Sequence, residues 1–321
     1  WFMRLDTMDN EAYEKAKTFL DIRNYINYRV FQIYLNNTDS RGNIRYWNAK
    51  DLDGKFRMIL YDTDLSFGTA SRKYLEKCLS SKRTDWFNPK WSTFYLRKLM
   101  QNEAFKNDFI NQMAHLMNTA IHRDTIIAAV DKLEGIYKDE LPRDGKLLAS
   151  HLKRVPLSEE EWLDKVAHFR MYAKLRHRHL RPEMVKLLAP KGMYTLKMAG
   201  DTGSIVVNEN YPIKLPFEGI YYKDIPLPIK AVENEGWQFI KWSDGDTSQV
   251  KLIHNLEDTL LVQPIYERTE SEVVIESSIE NVEKEATNNA GNEWMLLIGY
   301  ALLVLGFLLL LVYVALKITK R

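Results

Sequence analysis

Residues 26–68 read INYRVFQIYLNNTDSRGNIRYWNAKDLDGKFRMILYDTDLSFG, and their pattern sets the architecture of the first half of the chain. Ile26, Val30, Ile33 and Tyr34 recur at three- and four-residue intervals, which predicts a helix with one apolar face. The helix gives way to the polar loop Asn36-Asn37-Thr38-Asp39-Ser40-Arg41-Gly42-Asn43. Two short strands follow, Asn43–Trp47 and Lys55–Tyr61, joined by a turn that holds Asp51-Leu52-Asp53-Gly54. Asp-Gly is a strong hairpin signal, because both central turn residues must take positive φ. The second strand runs into Tyr61-Asp62-Thr63-Asp64-Leu65-Ser66-Phe67-Gly68. A helix end and a strand end thus each deliver carboxylates into a loop, and the hairpin between them lets the two loops meet.

Hard cations such as Mg2+ or Mn2+ take oxygen ligands, usually one or two carboxylates completed by phosphate oxygens. An acid in one loop with an amide close behind it, and a second acid after a strand, is how protein kinases hold metal-bound ATP. Asp39 and Asn43 would form the first set, Asp62 and Asp64 the second. Two acids at a strand mouth repel unless something cationic sits between them. Each piece has a plainer reading: Asp39 stabilising its own turn, and one of Asp62 or Asp64 capping another. Asp62-x-Asp64 also suits a metal-dependent nucleotide-sugar transferase.

Outward from this stretch, residues 1–189 read mostly as helices. Phe94, Leu96, Leu99, Phe105, Phe109, Met113, Leu116 and Met117 fit one or two helical stripes. Ser158 with Glu161 three residues on is a capping box, opening a helix that carries Trp162, Val166, Phe169 and Tyr172. Pro190 and Gly192 close the helical region. Residues 193–266 change period: Tyr194–Leu196, Ser204–Val207, Ile225–Val232, Trp237–Trp242 and Thr259–Tyr266 read as strands separated by Asn-, Asp- and Gly-rich turns. Residues 267–293 lack aromatics and read as a disordered acidic stalk. Trp294–Leu316 contains no charged residue and at 1.5 Å per residue spans about 34 Å, the length of a transmembrane helix. Lys317, Lys320 and Arg321 follow it, which sets residues 317–321 in the cytoplasm and the N-terminal bulk outside the cell. The chain opens on Trp1 with no signal peptide ahead of its first helix, so it reads as the C-terminal part of a longer protein.

The 321 residues carry a net charge of +2 and a hydrophobic fraction of 45%, which fits a folded chain of about two domains and excludes a disordered or collagen-like one. The near-neutral balance argues against nucleic acid as a partner. A single cysteine, Cys78, excludes any disulfide within the chain and thiolate-rich zinc sites.

Read together, the residues resemble the spore-coat protein H (CotH) kinase family. The resemblance rests on Tyr28–Asp39, Asn43–Trp47, Lys55–Gly68, Leu99-x-x-Asn102-x-x-Phe105-Lys106-x-x-Phe109, and Phe169-Arg170-x-Tyr172-Ala173-x-x-Arg176, in order and spacing. It covers about residues 1–190. It implies an atypical protein kinase that moves phosphate from ATP to Ser or Thr of secreted or surface proteins. It further implies that Asp39 orients or deprotonates the acceptor hydroxyl, Asn43 assists with metal, Asp62 takes the metal-binding role of a kinase Asp-Phe-Gly aspartate, and Asp64 supports it, with Phe67-Gly68 closing the loop. No segment before Asp39 is long enough to be a kinase N-lobe, so the fragment alone is expected to be inactive. The strand region resembles an extracellular repeat related to internalin B repeats, on Gly203–Ile205, Gly219–Tyr222, Glu235-Gly236-Trp237-x-Phe239 and Trp242–Gly245. Trp237, Phe239 and Trp242 are expected in its core.

The resulting expectation is an α+β chain. A mainly helical kinase-like C-lobe (1–190) with a small β-hairpin precedes a small all-β module (193–266), a stalk (267–293), a membrane helix (294–316) and a basic tail. The other readings of the same features are a pseudokinase, a surface adhesin without catalysis, or the sugar transferase. The basic run Lys174–Lys186 is expected on a solvated helix face, and Cys78 is expected to be inert.

Overall fold

The computed structural model describes residues 2–82, 89–149, 158–200 and 202–269. The expected stalk, membrane helix and basic tail lie outside them from residue 270 onward. Among the described residues no helix is long and apolar enough to cross a membrane. The chain divides into two compact units, Trp1–Val232 with Phe239–Ile265, and Glu233–Gln238 with Tyr266–Arg321.

In the first unit, helix α1 (Asn10–Phe19) starts where the Asp9 carboxylate accepts from the Ala12 amide, and α2 (Ile22–Leu35) where Asp21 accepts from Asn24. These are N-cap bonds that satisfy donors the helix itself leaves free. Strands β1 (Arg45–Trp47) and β2 (Arg57–Ile59) pair antiparallel, with Tyr46 opposite Met58. The hairpin is shorter than the sequence suggests. Its turn closes where the amides of Leu52 and Gly54 both donate to the Ala49 carbonyl. Asn24 fixes the hairpin to α2, its side chain accepting from the Met58 amide at 2.6 Å and donating to the Met58 carbonyl at 3.2 Å.

Short helices α3 (Tyr74–Leu79) and α4 (Phe94–Leu99) lead into α5 (Glu103–Asn118), the centre of the core. Phe105, Phe109, Ile110, Met113, Ala114 and Met117 of α5 are fully buried. Each large apolar side chain removed from water contributes about 1.5–3 kcal/mol. Helices α6 (Arg123–Tyr137) and α7 (Glu140–Ala149) precede the long α8 (Glu159–Leu187). The Ser158–Glu161 capping box read from the sequence is formed, with both reciprocal bonds in place.

Strands β3 (Met193–Met198), β4 (Ser204–Val207), β5 (Ile213–Lys214), β6 (Phe217–Tyr222), β7 (Leu227–Val232), β8 (Trp237–Trp242), β9 (Val250–Ile253), β10 (Thr259–Val262) and β11 (Pro264–Arg268) follow. One sheet has the order β10-β3-β6 and another β5-β4-β7-β9. β6 lies against α5. There Asn118 imitates a strand partner: its amide donates to the Ile220 carbonyl at 3.0 Å, and its carbonyl accepts from the Ile220 amide at 3.1 Å and from Arg181 at 2.8 Å. Gly219 makes this approach possible, because a Cβ there would sit 2.7 Å from the Asn118 Nδ2. Trp242 is fully buried and Phe239 nearly so, as expected of core aromatics. In the second unit, the Arg268 guanidinium lies over the half-buried Trp237 ring at 5.4 Å.

Two histidines of the helical core make the fold acid-sensitive. Burial lowers the pKa of His115 and of His177 from 6.5 to about 4. The folded state therefore binds fewer protons than the unfolded chain between those values. Stability contributed by keeping both rings neutral is complete above the unfolded pKa and is lost as pH falls toward the folded one. Between pH 7 and pH 5 the loss for the pair is about 4 kcal/mol. Denaturant melts at the two pH values should show a drop of that order, roughly halved in His115→Gln.

Candidate active site

The helix–loop junction at the end of α2 is built by left-handed backbone. Asn36 caps α2 with φ of 60°, a conformation asparagine tolerates. Its side-chain amide crosses to the Thr69 carbonyl at 2.9 Å. Next, the amide and hydroxyl of Thr38 both donate to the Leu65 carbonyl, at 3.2 and 3.1 Å. The Phe67 amide donates to the Leu35 carbonyl at 2.9 Å. Residues 35–38 at the start of the loop after α2 are therefore laced to residues 65–69 after β2.

Within this lacing, Asn37 organises the aspartates. Its carbonyl oxygen accepts from the Asp39 amide at 3.0 Å, an Asx turn, and its Nδ2 reaches the Asp62 carbonyl at 3.5 Å. Asn43 donates from Nδ2 to Asp39 Oδ2 at 3.1 Å, and its own amide oxygen has no hydrogen-bond partner among the described residues. Ser40 and Tyr74 share a hydrogen bond of 2.7 Å that ties the Asp39 turn to the start of α3. Asp39 and Asn43 are half-buried, whereas Asp62 and Asp64 are exposed.

Asp62 has a pKa raised above the usual carboxylate range. Partial desolvation is the largest cause, followed by the negative charge of Asp64, a hydrogen bond with it, and the charge of Asp39. The three carboxylates are thus electrostatic neighbours, although they come from two loops more than twenty residues apart. Among the described residues, no group of three or more His, Cys, Asp or Glu side chains is set to hold a metal ion by itself. A magnesium completed by phosphate oxygens needs only one or two carboxylates, and an all-oxygen donor set of carboxylates and one amide suits that ion.

Backbone strain concentrates here. Asp62 and Phe67 have φ of 51° and 56°, values that cost of order 1–3 kcal/mol for residues with side chains. Phe67 is held by its neighbours. His168 of α8 donates Nε2–H to the Phe67 carbonyl at 2.6 Å, and the Phe67 ring stands edge-on to Phe169 and Tyr172, with centroids 5.1 and 5.2 Å away.

Beneath both loops lies Arg176, which is fully buried. Its guanidinium donates to the carbonyls of Tyr34 (3.1 Å), Ile33 (2.8 Å), Ala70 (2.8 Å) and Arg72 (3.0 Å). Two of these close α2 and two belong to the segment that follows Asp62–Asp64. The charge also sits at the negative end of the α2 dipole. Tyr172 adds a hydroxyl donor to the Tyr34 carbonyl. The expectation of a solvated basic face along Lys174–Lys186 is corrected at this point: Arg176 and Arg181 face the core, because α2 and β6 present carbonyls there that only a long donor reaches. Lys174, Arg178 and Lys186 are exposed as expected. Cys78 is buried and its thiol is pushed up to about 12 by burial, which makes it a poor nucleophile.

A family model described as CotH kinase protein matches residues 3–180. No curated protein and no solved structure matches the chain. The family match ends within α8, ahead of the strands, and lends the internalin-like resemblance no support.

Proposed function

The chain belongs to the CotH kinase family, and from that premise we propose that its two laced loops carry an ATP- and divalent-metal-dependent phosphotransferase site acting on Ser or Thr of secreted or surface proteins. One observation carries the reading. Asp39, with Asn43 on its carboxylate, and the Asp62–Asp64 pair are brought into one electrostatic neighbourhood by the Thr38–Leu65 and Phe67–Leu35 bonds.

In this reading the half-buried Asp39 accepts a hydrogen bond from the acceptor hydroxyl and takes its proton as the new P–O bond forms and the bond to ADP breaks. Asn43 holds the Asp39 carboxylate in one orientation through Oδ2. Asp62, Asp64 and the amide oxygen of Asn43 would hold the ion, which when bound supplies charge neutralisation for the phosphates. Phosphoryl transfer needs positioning and electrostatics more than a covalent nucleophile, and the laced loops supply both. The uncharged stretch Trp294–Leu316 supports a single-pass anchor in the cell membrane, with the site on the outer side.

The test is thermal stability of the intact protein with nucleotides. ATP with Mg2+ at about a hundredfold over its Kd should stabilise by about 2.7 kcal/mol, and EDTA should abolish the shift. A response to a sugar nucleotide with Mn2+ but none to ATP would overturn the reading in favour of a glycosyltransferase. Silence toward both in a form of the protein that carries a nucleotide-covering lobe would leave a binding protein.

A further inference from the structure

An open depression of about 480 Å3 flanks the site, lined by Gly68, Thr69, Ala70 and Arg72 on one side and by His168, Met171, Tyr172 and Leu175 of α8 on the other. Its loop wall is the direct continuation of the Asp62–Asp64 loop. It adjoins the Asp39 turn through the Asn36–Thr69 and Ser40–Tyr74 bonds.

The charges in its lining are one-sided. Arg72 is the one ionised side chain in the lining, and its guanidinium makes no hydrogen bond or ion pair among the described residues. The second cation, Arg176, sits under the same wall, bonded to the carbonyls of Ala70 and Arg72. Among the described residues no Asp or Glu lines the depression. The nearest acid along α8 is the exposed Asp164, one turn before His168 and outside the lining, while Glu183 of α8 and Glu76 of α3 line a separate hollow. There Glu183 is already committed, accepting from the Glu76 amide at 2.9 Å. The floor is apolar, with Met171 52% exposed and Leu175 half-buried. A half-buried, unpaired arginine over apolar floor is a place for a carboxylate, because the fork of donors matches it and little solvent competes.

We propose that this depression binds the protein substrate beside the acceptor hydroxyl and that Arg72 selects an acidic residue there. The inference rests on the phosphotransferase reading and names the substrate class of that same site. From His168 to Leu175 the α8 wall runs about 10 Å, which spans roughly three residues of extended chain. The preferred Asp or Glu therefore lies within about three residues of the phosphorylated Ser or Thr.

The experiment uses the intact protein and two readouts. First, fluorescein-labelled peptides with one central Ser flanked by Glu, by Ala or by Lys are titrated without nucleotide and followed by anisotropy. The Glu peptide should bind about tenfold more tightly than the Ala peptide, and Arg72→Glu should remove that advantage. Second, the same peptides are phosphorylated with MgATP. The Glu peptide should show the highest kcat/KM through a lower KM, and Arg72→Glu should reverse the order of the Glu and Lys peptides. Binding that follows this pattern without any phosphorylation would keep the docking site and sink the phosphotransferase reading. Phosphorylation with no charge preference, or a preference that Arg72→Glu leaves intact, would overturn the assignment of Arg72. So would a loss of ATP affinity in Arg72→Glu with peptide preference retained, which would move that arginine to the nucleotide.

Discussion

Arg176→Met should destabilise the fold by about 4 kcal/mol, a large share of the 5–15 kcal/mol that holds an ordinary domain together. The substitution keeps the length and apolar stem of the side chain but removes every donor. Four backbone carbonyls, of Ile33, Tyr34, Ala70 and Arg72, then lose a charged donor; Asn36, Tyr172 and Tyr74 still donate to Ile33, Tyr34 and Arg72, and Ala70 keeps no donor among the described residues. Each hydrogen bond from a charged donor contributes about 1.5–3 kcal/mol and the acceptor left bare costs about 1–3 kcal/mol, and some of that is recovered by relaxation. Arg176→Lys separates a general charge requirement from a geometric one. An ammonium keeps the charge at the end of α2 but has three donors on one nitrogen and cannot span carbonyls from two segments. It should recover less than half of the loss. Equilibrium denaturation measures both variants. Amide exchange of Phe67 and Thr38 reports whether the loops unlace before the core does. If Arg176→Met unfolded with the wild-type midpoint, the buried guanidinium would not be what joins the loops.

That arginine also shows where sequence reading stops. The helix of α2, the Asp-Gly hairpin and the Ser158–Glu161 cap were legible because each depends on residues within one turn of one another. So was the delivery of acids into two loops. The role of Arg176 depends on carbonyls more than a hundred residues away, and in the chain it stands among Lys174, His177 and Arg178, indistinguishable from a wetted face. β6 was equally hidden. Phe217–Tyr222 is absent from the strands that the sequence pattern names, and its glycine is there because Asn118 of α5 presses on the strand. The run Thr259–Tyr266 read as one strand, yet it divides at Gln263, where the Ser243 side chain and backbone take over the hydrogen bonding. In each case the missing information was a tertiary hydrogen bond rather than a local preference.

Asp62→Asn should lower phosphoryl transfer by at least about a thousandfold while leaving the protein as stable as the parent or more so. The two effects have one source. Asp62 sits at positive φ in a loop beside Asp64 and Asp39, and partial desolvation, followed by the charges of both neighbours, raises its pKa. A group whose folded pKa lies above its unfolded value destabilises the fold in its charged form. The penalty is absent at low pH and develops as pH rises through the folded pKa. The uncharged amide removes that repulsion and keeps the shape, so the melting temperature should hold or rise. A carboxylate kept at such a position is paid for by function, and the proposed ion is what would relieve the repulsion. The parent should therefore gain stability on adding Mg2+ with ATP, and Asp62→Asn should gain little. Asp64→Asn should show the same signs with a smaller loss of transfer. Retained labelling of Ser or Thr by Asp62→Asn would remove this aspartate from the reaction. A fall in melting temperature would mean that the carboxylate is a structural cap of its turn, the plainer reading its sequence also allowed.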